Sequence, residues 1–263
     1  MKQQLNTSKI LPKKSLGQNF IQDSNFILKL SSLITTDSST NIFEIGPGKG
    51  ALTKVLTRKK FKNLILIEKD VKLFNELKEK YKDRQNIIPI NCDALLYDYE
   101  GINRNNKSII VGNLPFNISS QLLIKWVVNY DWPPFYDKMV LMFQKEVADR
   151  LIATHGQKSY GRISVITQAR CSVKKLLNAP SNIFFPKPKV DGTVLEFTPC
   201  IENADLNILD LQKLLKKSFV HRRKKIKTSL KEYSVLLNKL NIDDNLRAEN
   251  LSVKEYCKLA SSL

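Results

Sequence analysis

Asn41-Ile42-Phe43-Glu44-Ile45-Gly46-Pro47-Gly48-Lys49-Gly50-Ala51 is the stretch that decides the fold. Its first five residues read as a strand, the next five as a glycine turn, and Ala51 to Lys60 carries Leu52, Val55 and Leu56 at helical spacing. Strand, glycine turn and helix in that order make the first βα unit of a doubly wound α/β sheet. Ligands of such sheets sit beyond the carboxyl ends of the strands.

Downstream, Asn63 to Glu68 reads as a second strand that ends on an acid, eighteen residues past Gly50. A carboxylate at that tip binds ribose hydroxyls, and Gly46-x-Gly48-x-x-Ala51 satisfies the G-x-G-x-x-G/A pattern. The loop alone does not separate a nicotinamide cofactor from S-adenosylmethionine. Val71 to Tyr81 is an amphipathic helix, and Asn86 to Cys92 is a third strand followed by Asp93. Glu68 and Asp93 then place two carboxylates along one rim, although Asp93 also suits a turn cap.

Lys107 to Gly112 reads as a fourth, buried strand that delivers Asn113-Leu114-Pro115-Phe116 to the same rim. The Asn113 side-chain oxygen and the Leu114 carbonyl are acceptors, and the residue before a proline is held extended. Phe116 offers a flat face for stacking on a base, so a flipped-out adenine is the target suggested. Taken alone, the same residues read slightly better as a strand end before a helix, with Phe116 in the core and Asn117, Ser119 or Ser120 as the cap.

Ile118 to Val128 reads as a helix, Lys138 to Phe143 as a fifth strand and Gln144 to Ile152 as a helix. His155 falls in a polar link with nothing nearby to orient it as a base. A helix through Ile163, Val165, Ile166 and Ala169, a strand from Cys171 to Leu177 and a closing strand from Thr193 to Phe197 follow. Between those strands, Phe184-Phe185-Pro186-Lys187-Pro188-Lys189 makes a stiff basic loop whose aromatics suit either a base pocket or the core. Residues 199–208 read as a linker. Beyond them the chain is helical and basic, with eight cations between Lys213 and Lys227, Arg222, Arg223, Lys224 and Lys225 among them.

A net charge of +18 on 263 residues attracts polyanions, and the density of this run favours a nucleic-acid surface over a solvated face. Cys92, Cys171, Cys200 and Cys257 are scattered, so neither a disulfide scaffold nor a zinc site is expected, and with only two histidines no metal is. They read as buried hydrophobes of a reducing compartment. No apolar run approaches a membrane span, residues 1–12 read as a disordered basic lead-in, and a soluble, cytoplasmic protein is expected.

Gln18-Asn19-Phe20, Glu44 to Gly50, Glu68, Asp93, Asn113 to Phe116 and Phe184 to Val190 occur in the order found in the ribosomal RNA adenine dimethyltransferases, which the chain resembles over about residues 10–230. The resemblance implies a Rossmann-like S-adenosylmethionine-dependent methyltransferase sheet over residues 1–200 and a small all-α, basic RNA-binding domain over 201–263. It is strongest to bacterial enzymes that dimethylate two neighbouring adenines near the 3′ end of small-subunit rRNA, which implies action on a small-subunit ribosomal particle; nothing in the sequence demands more than a monomer. Asn19, Ile21, Gly46, Gly48, Glu68, Asp93 and Asn113 would then hold S-adenosylmethionine. Asn113, Leu114 and Phe116 would serve the target amine and base, with Phe184, Lys187, Lys189 and the Arg222 to Lys225 run on the RNA. Two departures stand out: Phe116 replaces the usual Tyr, as in relatives that methylate large-subunit rRNA and confer macrolide resistance, and Gly192 replaces Ser. Leu114 and the basic run favour the small-subunit branch. A dehydrogenase, a large-subunit methyltransferase and a non-enzymatic RNA-binding assembly factor are the alternatives.

Overall fold

The computed structural model describes residues 12–13, 16–99, 106–221 and 223–263. The lead-in expected over 1–12 lies, apart from Pro12, outside the described residues, as does Arg222. Strands β1 (Phe20–Ile21), β2 (Asn41–Ile45), β3 (Asn63–Glu68), β4 (Ile87–Asn91), β5 (Ser108–Asn113), β6 (Lys138–Gln144), β7 (Cys171–Ala179), β8 (Phe184–Phe185) and β9 (Gly192–Pro199) alternate with α-helices. These are α1 (Ser24–Ser32), α2 (Ala51–Leu56), α3 (Val71–Lys80), α4 (Ser119–Val128), α5 (Lys145–Leu151), α6 (Arg162–Arg170), α7 (Ile208–Val220), α8 (Ile226–Ser229), α9 (Ser234–Lys239) and α10 (Val253–Ala260).

Seven strands form one sheet in the order β4-β3-β2-β5-β6-β9-β7. The first five are parallel, whereas β9 runs antiparallel to both β6 and β7. The apolar runs are uninterrupted because both faces are covered. On one face Ile42, Leu64, Leu66, Ile109 and Val111 pack with α1, α2 and α3 residues such as Ile27, Leu52 and Leu77. On the other, Phe43, Ile45, Ile65, Ile67 and Ile110 share a cluster with Leu122, Trp126, Val165, Leu211, Leu214 and Tyr256. Residues of α7 and α10 thus belong to the same apolar cluster as the sheet.

Four expectations are corrected. The strand read as closing the sheet is internal, because β9 pairs on both sides while β7 takes the edge. Residues 199–208 are no free linker: Trp132 Nε1 donates to the Cys200 carbonyl (2.8 Å), Arg170 to that of Leu206 (3.0 Å), and Asn203 Nδ2 to that of Ala169 (2.8 Å). Those donors strap the segment down and Leu206 is buried. Arg223, Lys224 and Lys225 lie not on a helix but in the turn between α7 and α8, while Lys227 is on α8 itself. Of the four cysteines only Cys171 and Cys257 are fully buried.

Candidate active site

The parallel strands β2, β3, β4 and β5 end on one side of the sheet, and strand order reverses between β2 and β5, where a crevice forms. A cavity of about 260 Å³ opens there, walled by residues 16–22, the glycine turn, Glu68, Cys92 to Leu95 and Asn113 to Ile118. A larger open groove between α5, α6 and α7 contains none of the residues expected to hold the cofactor or the target base, though Lys216 of the basic run lines it.

The glycine turn folds as it does because Gly46, Gly48 and Gly50 all have positive φ (64°, 58° and 74°). At Gly48 a Cβ would also lie 2.9 Å from two ring carbons of Phe20, so the turn and that ring fit only without a side chain. Gly112 does the same for the crevice floor, since a Cβ there would meet the Ile45 carbonyl at 2.8 Å. The Gly48 N–H donates to Glu68 Oε2 (3.0 Å) and the Asp70 N–H to Glu68 Oε1 (2.8 Å), which aims the carboxylate across the turn. Burial raises the Glu68 carboxyl, opposed by those two donors. Each oxygen keeps a lone pair for a further donor.

Asp93 meets the rim from β4. Its Oδ1 accepts from the Leu95 N–H (2.9 Å) and its Oδ2 pairs with Lys69 Nζ (2.7 Å). Burial pushes this carboxyl up, but Lys69 and the Leu95 N–H outweigh it and leave it below its ordinary value.

Asn113, at the tip of β5, donates from Nδ2 to the Asn19 carbonyl (2.8 Å). Its amide orientation is thereby set, with Oδ1 left as an acceptor that has no partner among the described residues. The Leu114 carbonyl likewise accepts no hydrogen bond among them, while the Leu114 side chain is buried. Phe116 is half-buried rather than in the core. The residue capping α4 is Ile118, without a side-chain bond, so none of the three polar caps considered caps this helix; Ser119 Oγ donates to the Phe116 carbonyl instead (3.2 Å).

The other wall is brought from far along the chain. β1 pairs antiparallel with β8, Phe20 opposite Phe185 and Ile21 opposite Phe184. Phe184 is buried beside Ile21 behind the cavity wall, and Lys187 and Lys189 are exposed. Lys13 Nζ pairs with Asp70 Oδ2 (2.8 Å) and Gln18 Nε2 donates to the same oxygen (3.3 Å), so Lys13 and Gln18 are both clasped to the α3 N-cap. Burial alone would raise the Asp70 carboxyl; Lys13, the Lys72 N–H and Gln18 hold it low. Arg223, Lys224 and Lys225 are exposed in the α7–α8 turn, and His155 is exposed too.

Sequence reasoning passed over Glu44. It is 2% exposed, lines the cavity, and its Oε2 has no hydrogen-bond partner among the described residues. Burial pushes its carboxyl up to about 7. An acid inside a strand covered on both faces was the available signal. No helix among the described residues is long and apolar enough to cross a membrane, and among them no cluster of metal-ligating side chains occurs.

Comparison with known proteins adds three findings. Residues 11–263 match the family model described as ribosomal RNA adenine dimethylase. The chain is 38% identical over 256 residues to the ribosomal RNA small subunit methyltransferase A of Allorhizobium ampelinum, covering 95% of this chain and 92% of that protein, and 39% identical over 252 residues to that of Pelagibacter ubique, covering 94% and 95%. Among solved structures, a dimethyladenosine transferase from Plasmodium falciparum superimposes with a TM-score of 0.80 at 25% identity, covering 92% of this chain and 96% of that one.

Proposed function

The chain belongs to the ribosomal RNA adenine dimethylase family, and from that premise we propose that it dimethylates the exocyclic amines of two adjacent adenines near the 3′ end of small-subunit rRNA, using S-adenosylmethionine, during ribosome assembly. Family membership removes the dehydrogenase alternative. What carries the function is the pair of unpartnered acceptors, Asn113 Oδ1 and the Leu114 carbonyl, side by side at the strand-order reversal with Phe116 next to them.

The residues present fit the cofactor. Glu68, pinned by two backbone donors, has lone pairs left for a ribose diol, and Asp93 lies one strand farther along the rim for an adenine amine. At Gly48 a side chain would push Phe20 out of its place in the cavity wall. Bound there, the cofactor supplies an electrophilic methyl group on a sulfonium.

The chain's own part is to make a poor nucleophile react. An adenine amine delocalises its lone pair into the ring. In the first transfer two acceptors that engage both of its N–H groups draw nitrogen toward tetrahedral geometry, localise the lone pair and hold it in line with the methyl; in the second, the one remaining N–H leaves one acceptor to do so. Phe116 stacks on the extruded base, with Phe184 supporting the wall behind. After alkylation the amine is acidic and loses its proton to water, so no histidine base is needed. Lys187, Lys189 and the run from Arg222 to Lys225 bind the RNA backbone as counter-charges, residues 201–263 forming the RNA-facing part of a monomer that works on a small-subunit particle in the cytoplasm.

The decisive experiment incubates the protein with labelled S-adenosylmethionine and rRNA from cells lacking the modification, then maps dimethyladenine by primer extension. Two adjacent small-subunit stops are expected. A single large-subunit site, or no transfer, overturns the proposal. Gly48→Ala is expected to weaken cofactor binding at least tenfold by calorimetry while the circular dichroism spectrum is kept, because the new Cβ displaces Phe20 and strains a residue at φ 58°. Unchanged affinity would remove Gly48 from the cofactor site.

A further inference from the structure

Glu44 takes no part in the reaction as derived, yet its carboxyl is buried in the cavity wall with Oε2 unpartnered among the described residues. The groups around it supply no positive charge. Glu68 on β3 adds like charge, Tyr81 after α3 presents a hydroxyl that is itself buried and unpartnered, Thr53 on α2 lowers the carboxyl by hydrogen bonding without outweighing burial and brings no charge, and its register neighbours are Leu66 and Val111. No cation among the described residues is paired with it. A buried carboxylate so placed is costly and gains from any positive charge that enters the cavity.

S-adenosylmethionine carries a fixed positive charge on sulfur. Its demethylated product, S-adenosylhomocysteine, is a neutral thioether of otherwise the same charge. We propose that Glu44 is a proton-linked counter-charge through which the pocket prefers the sulfonium cofactor to its thioether product. This rests on the cofactor reading above. The sulfonium favours ionised Glu44, and by reciprocity ionised Glu44 binds the sulfonium more tightly. Once the methyl has left, the positive charge on sulfur is gone, Glu44 takes a proton back from solvent, and the extra affinity disappears with it. Discrimination between fresh and spent cofactor is thereby tied to one side chain that need not touch the transferred group.

The mechanism is read from protons rather than turnover. Binding of each ligand to the intact protein is measured by calorimetry in two buffers of different ionisation enthalpy at pH 6, 6.5 and 7. With the Glu44 carboxyl at about 7 before binding, S-adenosylmethionine is expected to release about half a proton at pH 7 and to gain about fivefold in affinity from pH 6 to pH 7, with S-adenosylhomocysteine releasing less and gaining less. The sulfonium lowers the pKa of the ligand's own α-amino group, so the two ligands are compared at pH 6 and 6.5, where that group is protonated in both. Glu44→Gln is expected to abolish the difference in proton release. Equal release by the two ligands in the unaltered protein overturns the inference on its own, whether or not the variant folds; so does a difference that persists in Glu44→Gln. Failure of both ligands to bind overturns the cofactor reading and the inference together.

Discussion

Asn113→Ala is expected to lower kcat for methyl transfer by roughly 100- to 1000-fold, the loss typical of removing one group that stabilises charge only in the transition state. RNA affinity, measured by filter binding, should stay within about twofold, because no part of the basic surface is altered. Cofactor affinity should fall less than tenfold. Asn113 Nδ2 donates to the Asn19 carbonyl at 2.8 Å, and losing one neutral hydrogen bond costs about 1 kcal/mol, which loosens residues 16–22 without dismantling the wall. The inequality between the two losses is the informative quantity. If kcat and cofactor affinity drop by the same factor, Asn113 merely holds the wall in place; if transfer is unchanged, the amine-gripping mechanism is wrong.

Glu44→Gln is expected to stabilise the protein, and more so as pH rises. The Glu44 carboxyl is raised from 4.5 to about 7 in the fold, so the native state holds a proton that the unfolded chain has given up. The sign follows: the carboxyl is no burden below pH 4.5, stability is lost as pH climbs from there to about 7, and the full cost, about 3 kcal/mol, applies above. A neutral amide of the same shape escapes that cost. At pH 8 Tm should rise by roughly 5–10 °C for a chain of this size, and near pH 4.5 the two proteins should melt together. An equal or lower Tm at pH 8 would mean that Glu44 is already charged and compensated in the fold. Retention of an acid that destabilises the free protein is what a binding role at this position would produce.

The sequence was most legible where the chain is locally consistent. Asn63–Glu68 is bounded as read, and the strands ending at Ile45 and Asn113 differ by a residue or less, because short apolar runs flanked by polar turns admit few alternatives. What stayed hidden depends on partners distant in sequence. Phe20–Ile21 and Phe184–Phe185 are each too short to show alternation, and their pairing joins positions about 165 residues apart. The bond from Asn113 to Asn19 and the clasp of Lys13 on Asp70 are of the same kind. Glu44 escaped for another reason: within its motif an acid looks ordinary, and only burial on both faces of β2 makes it anomalous.

The place of β9 bears on how the molecule is made. A chain emerging from its N-terminus can assemble the five parallel strands once Gln144 is out, but the outer edge of Lys138–Gln144 then waits through nearly fifty further residues for Gly192–Pro199. Cys171–Ala179 emerges earlier and has no neighbour in the finished sheet other than that same late strand. Two unpaired hydrogen-bonding edges are therefore exposed during translation, and a single segment closes both when it arrives. A nascent chain stalled between residues 180 and 190 would hold the crevice floor and Asn113 already in place, while remaining open to pairing with any other extended strand in reach.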